Sequence, residues 1–181
     1  MSFDHAFATV VGEEGDFSND PNDSGGETRF GVTEALARKY GYVGDMRELP
    51  FETAKDIYLL EFWTPLGLYA IDKRSPGVAL ELFDTGVNMG TEIAARFLQR
   101  CLNAFNNLAR FYDDVPVDGE IGPKTIEAFE RFIDRRGGEG EEVLLKGLNC
   151  LQGARYIELA ESRSKDETFV YGWIKNRVEL A

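Results

Sequence analysis

The sequence contains one histidine and two cysteines, too few and too scattered for a zinc or iron–sulfur ligand set. It also lacks a glycine-rich nucleotide loop, a nucleophile elbow, an internal repeat and a low-complexity tract. We therefore expect no metal and no cofactor. Cys101 and Cys150 both fall in helical patterns beside apolar residues, which predicts two buried, free thiols.

Basic residues are also scarce, with 20 Lys and Arg against 32 Asp and Glu and a net charge of −12. This balance lacks the basic footprint by which proteins bind nucleic acids or anionic membranes. No run approaches ~20 apolar residues, and the N-terminus has no basic and apolar segment of signal-peptide type. We expect cytoplasmic synthesis without a signal peptide, no nucleic-acid partner and no stable membrane insertion.

Apolar residues at helical spacing are abundant, and they predict a mainly α fold. The length of 181 residues suits one compact domain or two closely packed lobes. Residues 2–13 carry the first apolar stripe, and Thr33 is placed to cap a short second helix ended by Gly41. Further helical patterns cover residues 51–64, with Pro50 at their first position, then 77–88, 91–105 with Thr91 as cap, and 141–162 after a break at Gly137–Gly140.

Between the first two helices lies a loop, residues 13–33, rich in Gly, Asp, Asn, Ser and Thr. Glu14 falls where the first helix should end, Asp23 follows nine residues later, and Thr28 five beyond that. A Glu shielded by apolar neighbours would have a raised pKa and could protonate a leaving oxygen, while Asp23 and Thr28 orient water. The equally weighted alternative is that the polar residues only tie the loop together through side-chain to backbone hydrogen bonds.

A calcium loop is a third interpretation of the same segment. Asp20, Asn22, Ser24 and Gly25 match positions one, three, five and six of an EF-hand. The twelfth position is Gly31, where a bidentate Glu is required. We set calcium binding aside for this reason.

The loop also resembles the signature of glycoside hydrolase family 108, the peptidoglycan-cleaving N-acetylmuramidases that include phage endolysins and bacterial secretion-activator muramidases. The matching residues are Glu14-Gly15, Phe17, Asn19-Asp20-Pro21, Asp23, Gly25-Gly26, Thr28 and Phe30-Gly31-Val32-Thr33. The resemblance implies a lysozyme-like helical fold whose long active-site loop, with room for a short β-hairpin, joins the first two helices. It also implies that Glu14 is the catalytic acid.

Two positions depart from the signature: Asp16 replaces a second glycine, and Arg29 replaces an asparagine. Asp16 adds negative charge beside the acid and bears on the pH optimum, whereas Arg29 bears on the contacts with sugar. We expect Asp20, Arg29 and Phe30 to bind substrate. Tyr58 and Trp63 are further candidates because pyranose rings stack on aromatic faces, although packing is the favoured role when the resemblance is set aside.

Asp84 and Asn88 lie four residues apart on an otherwise apolar helix and so share a face. They must either satisfy each other and the backbone or face a polar cleft. The segment Phe83–Gly90 again resembles the muramidases, so we assign both residues to substrate contact, with a buried hydrogen-bonded pair as the alternative.

The second half resembles the peptidoglycan-binding module that follows the catalytic region in this family. The resemblance rests on the turn and helix start at residues 117–126 and on a terminal motif with Gly172-Trp173 and Arg177-Val178. We expect this region to act first as a scaffold and second as a contact with the wall. Within it, we expect Arg177 to stack on Trp173, or Trp173 to pack under the active-site loop. Residues 106–116 are expected to form an extra loop. The predicted regions are a catalytic region, 1–90, and a peptidoglycan-binding-like region, 91–181, packed as one unit.

Together these features predict a monomeric lysozyme that cleaves the β-1,4 bond between N-acetylmuramic acid and N-acetylglucosamine. Its partner would be peptidoglycan glycan strands, reached in the periplasm after holin-assisted or other release. Two other classes stay open: a non-catalytic wall-binding or secretion-accessory protein, and a structural phage or effector component. An exposed apolar patch would favour the last.

Overall fold

The computed structural model describes residues 3–12, 17 and 27–178, and the chain divides into two compact units, Met1–Pro65 and Leu66–Ala181. Helices dominate both units. The sheet of the described part is a two-stranded antiparallel hairpin between the first two helices. The expected mainly α fold is therefore confirmed.

The first unit is built around a small aromatic core. Phe7 on the first helix is 1% exposed, and its ring meets the rings of Phe51 and Tyr58 edge-on at 5.4 and 5.2 Å. The apolar stripe thus packs as its spacing predicted. The elements are α1 (Phe3–Val11), β1 (Thr28–Arg29), β2 (Val32–Thr33), α2 (Glu34–Lys39), a 3-10 turn (Met46–Glu48) and α3 (Phe51–Tyr58).

The start of α2 follows the sequence closely. The Thr33 hydroxyl accepts a hydrogen bond from the Leu36 amide at 3.2 Å, which satisfies one of the free amides of the first turn. Gly41, with φ of 85°, follows the end of the helix. The predicted capping of α2 is confirmed.

The helix expected over residues 51–64 differs from the prediction in two respects. Pro50 is the N-cap rather than the first helical residue. After Tyr58 the helix widens into a π segment, Leu59–Trp63, in which the Thr64 amide donates to the Leu59 carbonyl at 2.9 Å. Apolar periodicity does not distinguish one π turn from α-helix, because the widening adds a single residue to the turn.

The second unit consists of helices packed around α5. Val78, Leu82 and Phe83 are fully or almost fully buried, and a Cβ on Gly86 would lie 2.8 Å from Leu66 Cδ1. Gly86 therefore permits a close approach that a larger residue would block. The elements are α4 (Leu68–Asp72), α5 (Pro76–Met89), α6 (Thr91–Ala104), α7 (Pro123–Ser162), a 3-10 turn (Ser164–Asp166) and α8 (Glu167–Arg177).

Two helix boundaries in this unit differ from the prediction. Gly90, with φ of 94°, occupies the N-cap of α6, and Thr91 is the first helical residue without a side-chain cap bond. The helix α7 breaks only at Gly137, where φ is 61° and ψ is −149°. The predicted separator of four residues is thus a single kinked position, since only one left-handed residue is needed to redirect a helix.

The two thiols differ in exposure. Cys101 is 4% exposed, and burial raises the pKa of its thiol to about 12. Cys150 is exposed, and both are free. The expectation of two buried cysteines is therefore wrong for Cys150, which lies on the outer side of α7 despite its apolar neighbours in sequence.

An irregular loop joins α6 to α7, as predicted for residues 106–116. Asn103 exchanges two hydrogen bonds with the backbone of Val115, at 2.8 and 2.9 Å. Asn106 is completely buried, donates to the Tyr112 carbonyl at 2.6 Å and accepts from the amides of Phe111 and Tyr112 at 3.3 and 3.2 Å. Two asparagines thus provide hydrogen-bond partners for backbone groups of a loop that is largely exposed.

Candidate functional site

The hairpin β1–β2 forms the described end of the predicted catalytic loop. Thr28 pairs with Thr33 and Arg29 pairs with Val32 in antiparallel register. The Glu34 amide donates to the Glu27 carbonyl at 2.9 Å, which extends the pairing by one bond. The position of Thr28 is therefore set by backbone bonds to the residue that caps α2.

The turn of the hairpin is fixed by the side chains behind it. Phe30 and Gly31 both have positive φ, 51° and 70°, the combination found in tight two-residue hairpins. The Tyr58 hydroxyl donates to the Phe30 carbonyl at 3.2 Å, and a Cβ on Gly31 would lie 2.5 Å from that hydroxyl. Phe30 packs edge-on against Phe51 at 5.3 Å. Gly31 is thus required both for its backbone conformation and for the space that Tyr58 occupies.

The guanidinium of Arg29 is already engaged within the unit. It donates to the Arg47 carbonyl and lies 5.1 Å from the centre of the Phe30 ring. Arg47 in turn lies 5.1 Å from the centre of the Phe17 ring. Arg29 therefore has a defined orientation, and within the described residues this hydrogen bond uses only one of its five N–H donors.

The structure brings Thr28, Arg29 and Phe30 together in one hairpin. Glu14, Asp20 and Asp23 lie outside the described residues, so the catalytic roles of Glu14 and Asp23 and the substrate role of Asp20 stay predictions. The substrate role of the other candidates in this unit is equally a prediction.

Tyr58 and Trp63, the two aromatic candidates, are buried. Tyr58 is 3% exposed and Trp63 1% exposed, and the Trp63 ring meets Phe3 edge-on at 5.4 Å. A ring must present a free face to stack on a sugar. Substrate contact by these rings stays a prediction, and their burial favours the packing alternative.

A second polar cluster in the first unit surrounds Glu61 on the π segment. Its Oε2 accepts hydrogen bonds from Lys39 Nζ and from the Tyr40 hydroxyl, both at 2.6 Å. Burial alone would raise the pKa of Glu61, but these two donors outweigh it and the pKa is lowered. Burial and the bond to Glu61 raise the pKa of Tyr40 to about 12. No local pattern in the sequence predicts this cluster, because 21 residues separate Tyr40 from Glu61.

Asp84 and Asn88 lie in the second unit and do share one face of α5. Asn88 Nδ2 donates to the Asp84 carbonyl at 2.8 Å and to Asp84 Oδ1 at 3.2 Å. The carboxylate is mostly buried, whereas Asn88 is exposed. The two side chains thus hydrogen-bond to each other, but because Asn88 is exposed they are not the buried pair of the alternative, and their contact with substrate stays a prediction.

Two further residues hold the Asp84 carboxylate. Gln152 Nε2 donates to Oδ2 at 3.1 Å, and the Arg177 guanidinium pairs with Oδ1. Burial raises the pKa of Asp84, while Arg177, Gln152 and Asn88 partly oppose that rise. These partners lie 68 and 93 residues away, beyond the reach of any helical period.

The expected contact between Trp173 and Arg177 is replaced by other pairings. Trp173 packs on Tyr156 and Phe169, with ring centres 5.2 and 6.1 Å apart. Arg177 instead pairs with Asp84. Side chains four apart on a helix share a face, but a buried carboxylate attracts an arginine more strongly than an aromatic ring does.

Within the described residues, no group of three or more His, Cys, Asp or Glu side chains could hold a metal ion. The same part of the chain contains no helix of the length and apolarity needed to cross a membrane.

Comparisons with known proteins find two matching family models and a solved structure with a similar fold. Residues 7–90 match the model of the family described as "Glycosyl hydrolase 108", and residues 93–178 match that described as "Predicted Peptidoglycan domain". No curated protein matches the chain. The fold is similar to the solved structure of SagA from Brucella abortus, with a TM-score of 0.64 and 21% sequence identity over 99% of this chain and 97% of that one.

The two family matches lie side by side along the chain and leave only short ends uncovered. At the level of the family they support a glycosidase whose target is peptidoglycan. The chain therefore combines a segment that matches glycosyl hydrolase family 108, residues 7–90, with a segment that matches the predicted peptidoglycan domain, residues 93–178.

Proposed function

We propose that this chain is an N-acetylmuramidase that cleaves the β-1,4 bond between N-acetylmuramic acid and N-acetylglucosamine. The observation that carries the proposal is the family match over residues 7–90, within which Glu14 opens the loop that resembles the muramidase signature. Its place of action would be the cell wall, where peptidoglycan lies, and we propose that it acts there as a monomer.

Glu14 would act as the general acid. Its carboxyl proton would pass to the glycosidic oxygen as the bond to the anomeric carbon breaks. Asp23 and Thr28 would orient the water that completes hydrolysis, and the pairing of β1 with β2 would fix the position of Thr28. Whether Asp23 acts on water or on the sugar directly depends on the carboxyl separation, which distinguishes inverting from retaining enzymes.

Asp20, Arg29 and Phe30 would bind the glycan beside the acid. Arg29 is suited to this role because its guanidinium is oriented by Arg47 and Phe30, and because a guanidinium can donate to the hydroxyl and acetamido oxygens of a sugar. Asp84 and Asn88 would contribute a carboxylate and an amide, of which Asn88 is the more accessible.

The test is the release of new reducing ends from purified peptidoglycan, with products identified by mass spectrometry. We expect muropeptides ending in reducing N-acetylmuramic acid, and a loss of about 10²–10⁴-fold in rate for Glu14→Gln, the range typical of a lost general acid. Glu13→Gln is the matched control, because it removes the same charge one residue away and should retain activity.

Each of the other results has a definite meaning. An active Glu14→Gln variant would assign the acid to another residue. Reducing ends on N-acetylglucosamine would identify a different bond. No products from folded protein over a broad pH range would favour a non-catalytic wall-binding protein, the second candidate, which the match over residues 93–178 supports.

A further inference from the structure

The loop between α6 and α7 holds three consecutive non-glycine residues in the left-handed region. The φ angles of Asn107, Leu108 and Ala109 are 51°, 61° and 56°. Such residues persist only where the surrounding structure imposes their conformation, and they concentrate at functional sites. Leu108 is 88% exposed, so burial of its side chain does not offset the strain. The bonds of the buried Asn106 impose the shape instead.

Next to this strained segment the loop and the first part of α7 enclose a cavity of about 460 Å³. We call it the Phe111 cleft; residues 109–116 line it on one side, and Lys124, Glu127, Ala128 and Arg131 on the other. A volume of this size is within the range of small-ligand sites. The cleft lies inside the segment matched by the predicted peptidoglycan domain.

The charges of the Phe111 cleft differ from those of the whole chain. Its lining includes three cations and three acids, so it is locally neutral in a chain of net charge −12. Arg131 pairs with Glu127 at 2.8 Å, and Asp114 accepts a bond from Asn106 at 2.9 Å. Within the part of the chain that the structure describes, Arg110 and Lys124 have no ion-pair partner.

Two more arginines extend the positive charge at one edge. The guanidinium carbons of Arg135 and Arg136 lie 5.2 and 5.1 Å from the centre of the Phe111 ring. Stacking on an aromatic ring holds a guanidinium in place while leaving its N–H donors available. The edge therefore presents oriented donors for carboxylates beside an apolar surface.

We propose that the Phe111 cleft binds the carboxylate-bearing peptide stems of peptidoglycan, an inference that rests on the proposed function for its wall target. Arg110 and Lys124 receive the carboxylates, and Asp113 is placed to meet the amine of a diamino acid. The cleft, whose lining is neutral and whose edge carries two further arginines, also explains how a strongly acidic chain approaches an anionic polymer, because the long-range repulsion is screened in salt and the short-range contacts are favourable.

The proposal is tested by titrating a synthetic stem tetrapeptide with free carboxylates into the full-length protein by calorimetry. The peptide has no glycosidic bond, so binding does not depend on turnover. We expect saturable binding that is about tenfold or more weaker for Arg110→Gln/Lys124→Gln, and similarly weaker for wild-type protein with the carboxyl-amidated peptide. The amidated peptide makes the test independent of any change in the protein.

Lys73→Gln/Lys146→Gln is the matched control, because it makes the same change in net charge at two exposed lysines outside the Phe111 cleft. Binding of the control should equal that of the wild type. The proposal would be overturned if both double variants weakened peptide binding equally, if the two peptides bound with equal affinity, or if no saturable binding occurred. If the protein releases reducing ends but does not bind the peptide, only this inference is overturned. If it binds the peptide but releases no reducing ends, only the proposed function is overturned.

Discussion

At the scale of single residues, the hydrogen bond from Tyr40 to Glu61 ties α2 to the π segment of the first unit. Both partners are partly buried, and the acceptor is charged, which makes this bond stronger than one between neutral groups. Burial raises the pKa of Tyr40, and the bond to Glu61 adds to that rise. The same bond, together with Lys39, lowers the pKa of Glu61, since protonated tyrosine and ionised glutamate are the states that bind each other.

This bond predicts a stability difference that depends on pH. The folded pKa of Tyr40, about 12, lies above its ordinary value of 10.0, so its contribution to stability is complete below pH 10.0 and is lost as the pH rises towards 12. We expect Tyr40→Phe to lower the free energy of unfolding by about 1 kcal/mol at pH 8, and by less at pH 11. Urea denaturation at both pH values measures the difference.

Glu61→Gln provides the control for this prediction. It keeps an acceptor for Tyr40 but removes the negative charge, so the absorbance titration of Tyr40 should shift to lower pH. A Tyr40→Phe effect that is absent at pH 8, or identical at the two pH values, would contradict the role given to the bond.

At the scale of elements, the loop between α6 and α7 combines strain with close support. Asn103 and Asn106 supply the side-chain bonds, and the Tyr112 hydroxyl donates to the Leu102 carbonyl at 2.7 Å. The left-handed residues of the loop each cost of the order of 1 kcal/mol or more. A loop held in this way is ordered before a ligand arrives, which reduces the entropy lost on binding.

The strain predicts that Leu108→Gly stabilises the protein. Glycine adopts a φ of 61° without steric cost, and the leucine side chain is 88% exposed, so little packing is lost. We expect a gain of about 0.5–1 kcal/mol, equivalent to a rise in Tm of roughly 1–4 °C for a chain of this size. Differential scanning calorimetry measures it.

Leu108→Ala is the matched variant, because it shortens the side chain and keeps the left-handed strain. Its Tm should remain close to that of the wild type. A lower Tm for Leu108→Gly than for Leu108→Ala would show that the side chain, and not the backbone conformation, determines the stability of this loop.

At the scale of the whole molecule, the compact units and the family segments have different boundaries. The second unit, Leu66–Ala181, includes α5, which belongs to the first matched segment, together with the helices of the second. Asp84 on α5 is held by Gln152 on α7 and Arg177 on α8. Ser75 Oγ likewise donates to Glu141 at 2.5 Å. The predicted peptidoglycan domain thus completes the surroundings of residues in the hydrolase segment.

This arrangement predicts that Arg177→Met destabilises the protein. It leaves the mostly buried Asp84 carboxylate without its cation, and we expect a loss of about 1–3 kcal/mol at pH 7, reduced from the value for a fully buried pair because Arg177 is partly exposed. The pKa of Asp84 is already raised and should rise further. Because the penalty belongs to the ionised form, it should diminish as the pH falls towards about 4.

Two controls accompany this measurement by urea denaturation. Arg155→Met removes an exposed partner of Glu158 and should change stability by less than about 1 kcal/mol. Adding Asp84→Asn to Arg177→Met should recover part of the loss, since the two residues are coupled. Equal effects of Arg155→Met and Arg177→Met would contradict the importance of the pair.

The sequence by itself determined what depends on neighbours along the chain. Residues at most a few turns apart determine the helical class, the α1 stripe, the Thr33 cap and the family resemblance of the loop, because helical periodicity and capping are local. The same local rules explain the errors: they place a boundary within a few residues and do not distinguish a π turn or a single-residue kink.

The tertiary structure decided which side chains meet across long separations. It buried Trp63, exposed Cys150, joined Tyr40 to Glu61, and brought Arg177 to Asp84 instead of Trp173. These pairings depend on how helices pack, and desolvation of a charged group acts only once that packing exists. No periodicity in the sequence encodes them, because their partners are separated by tens of residues.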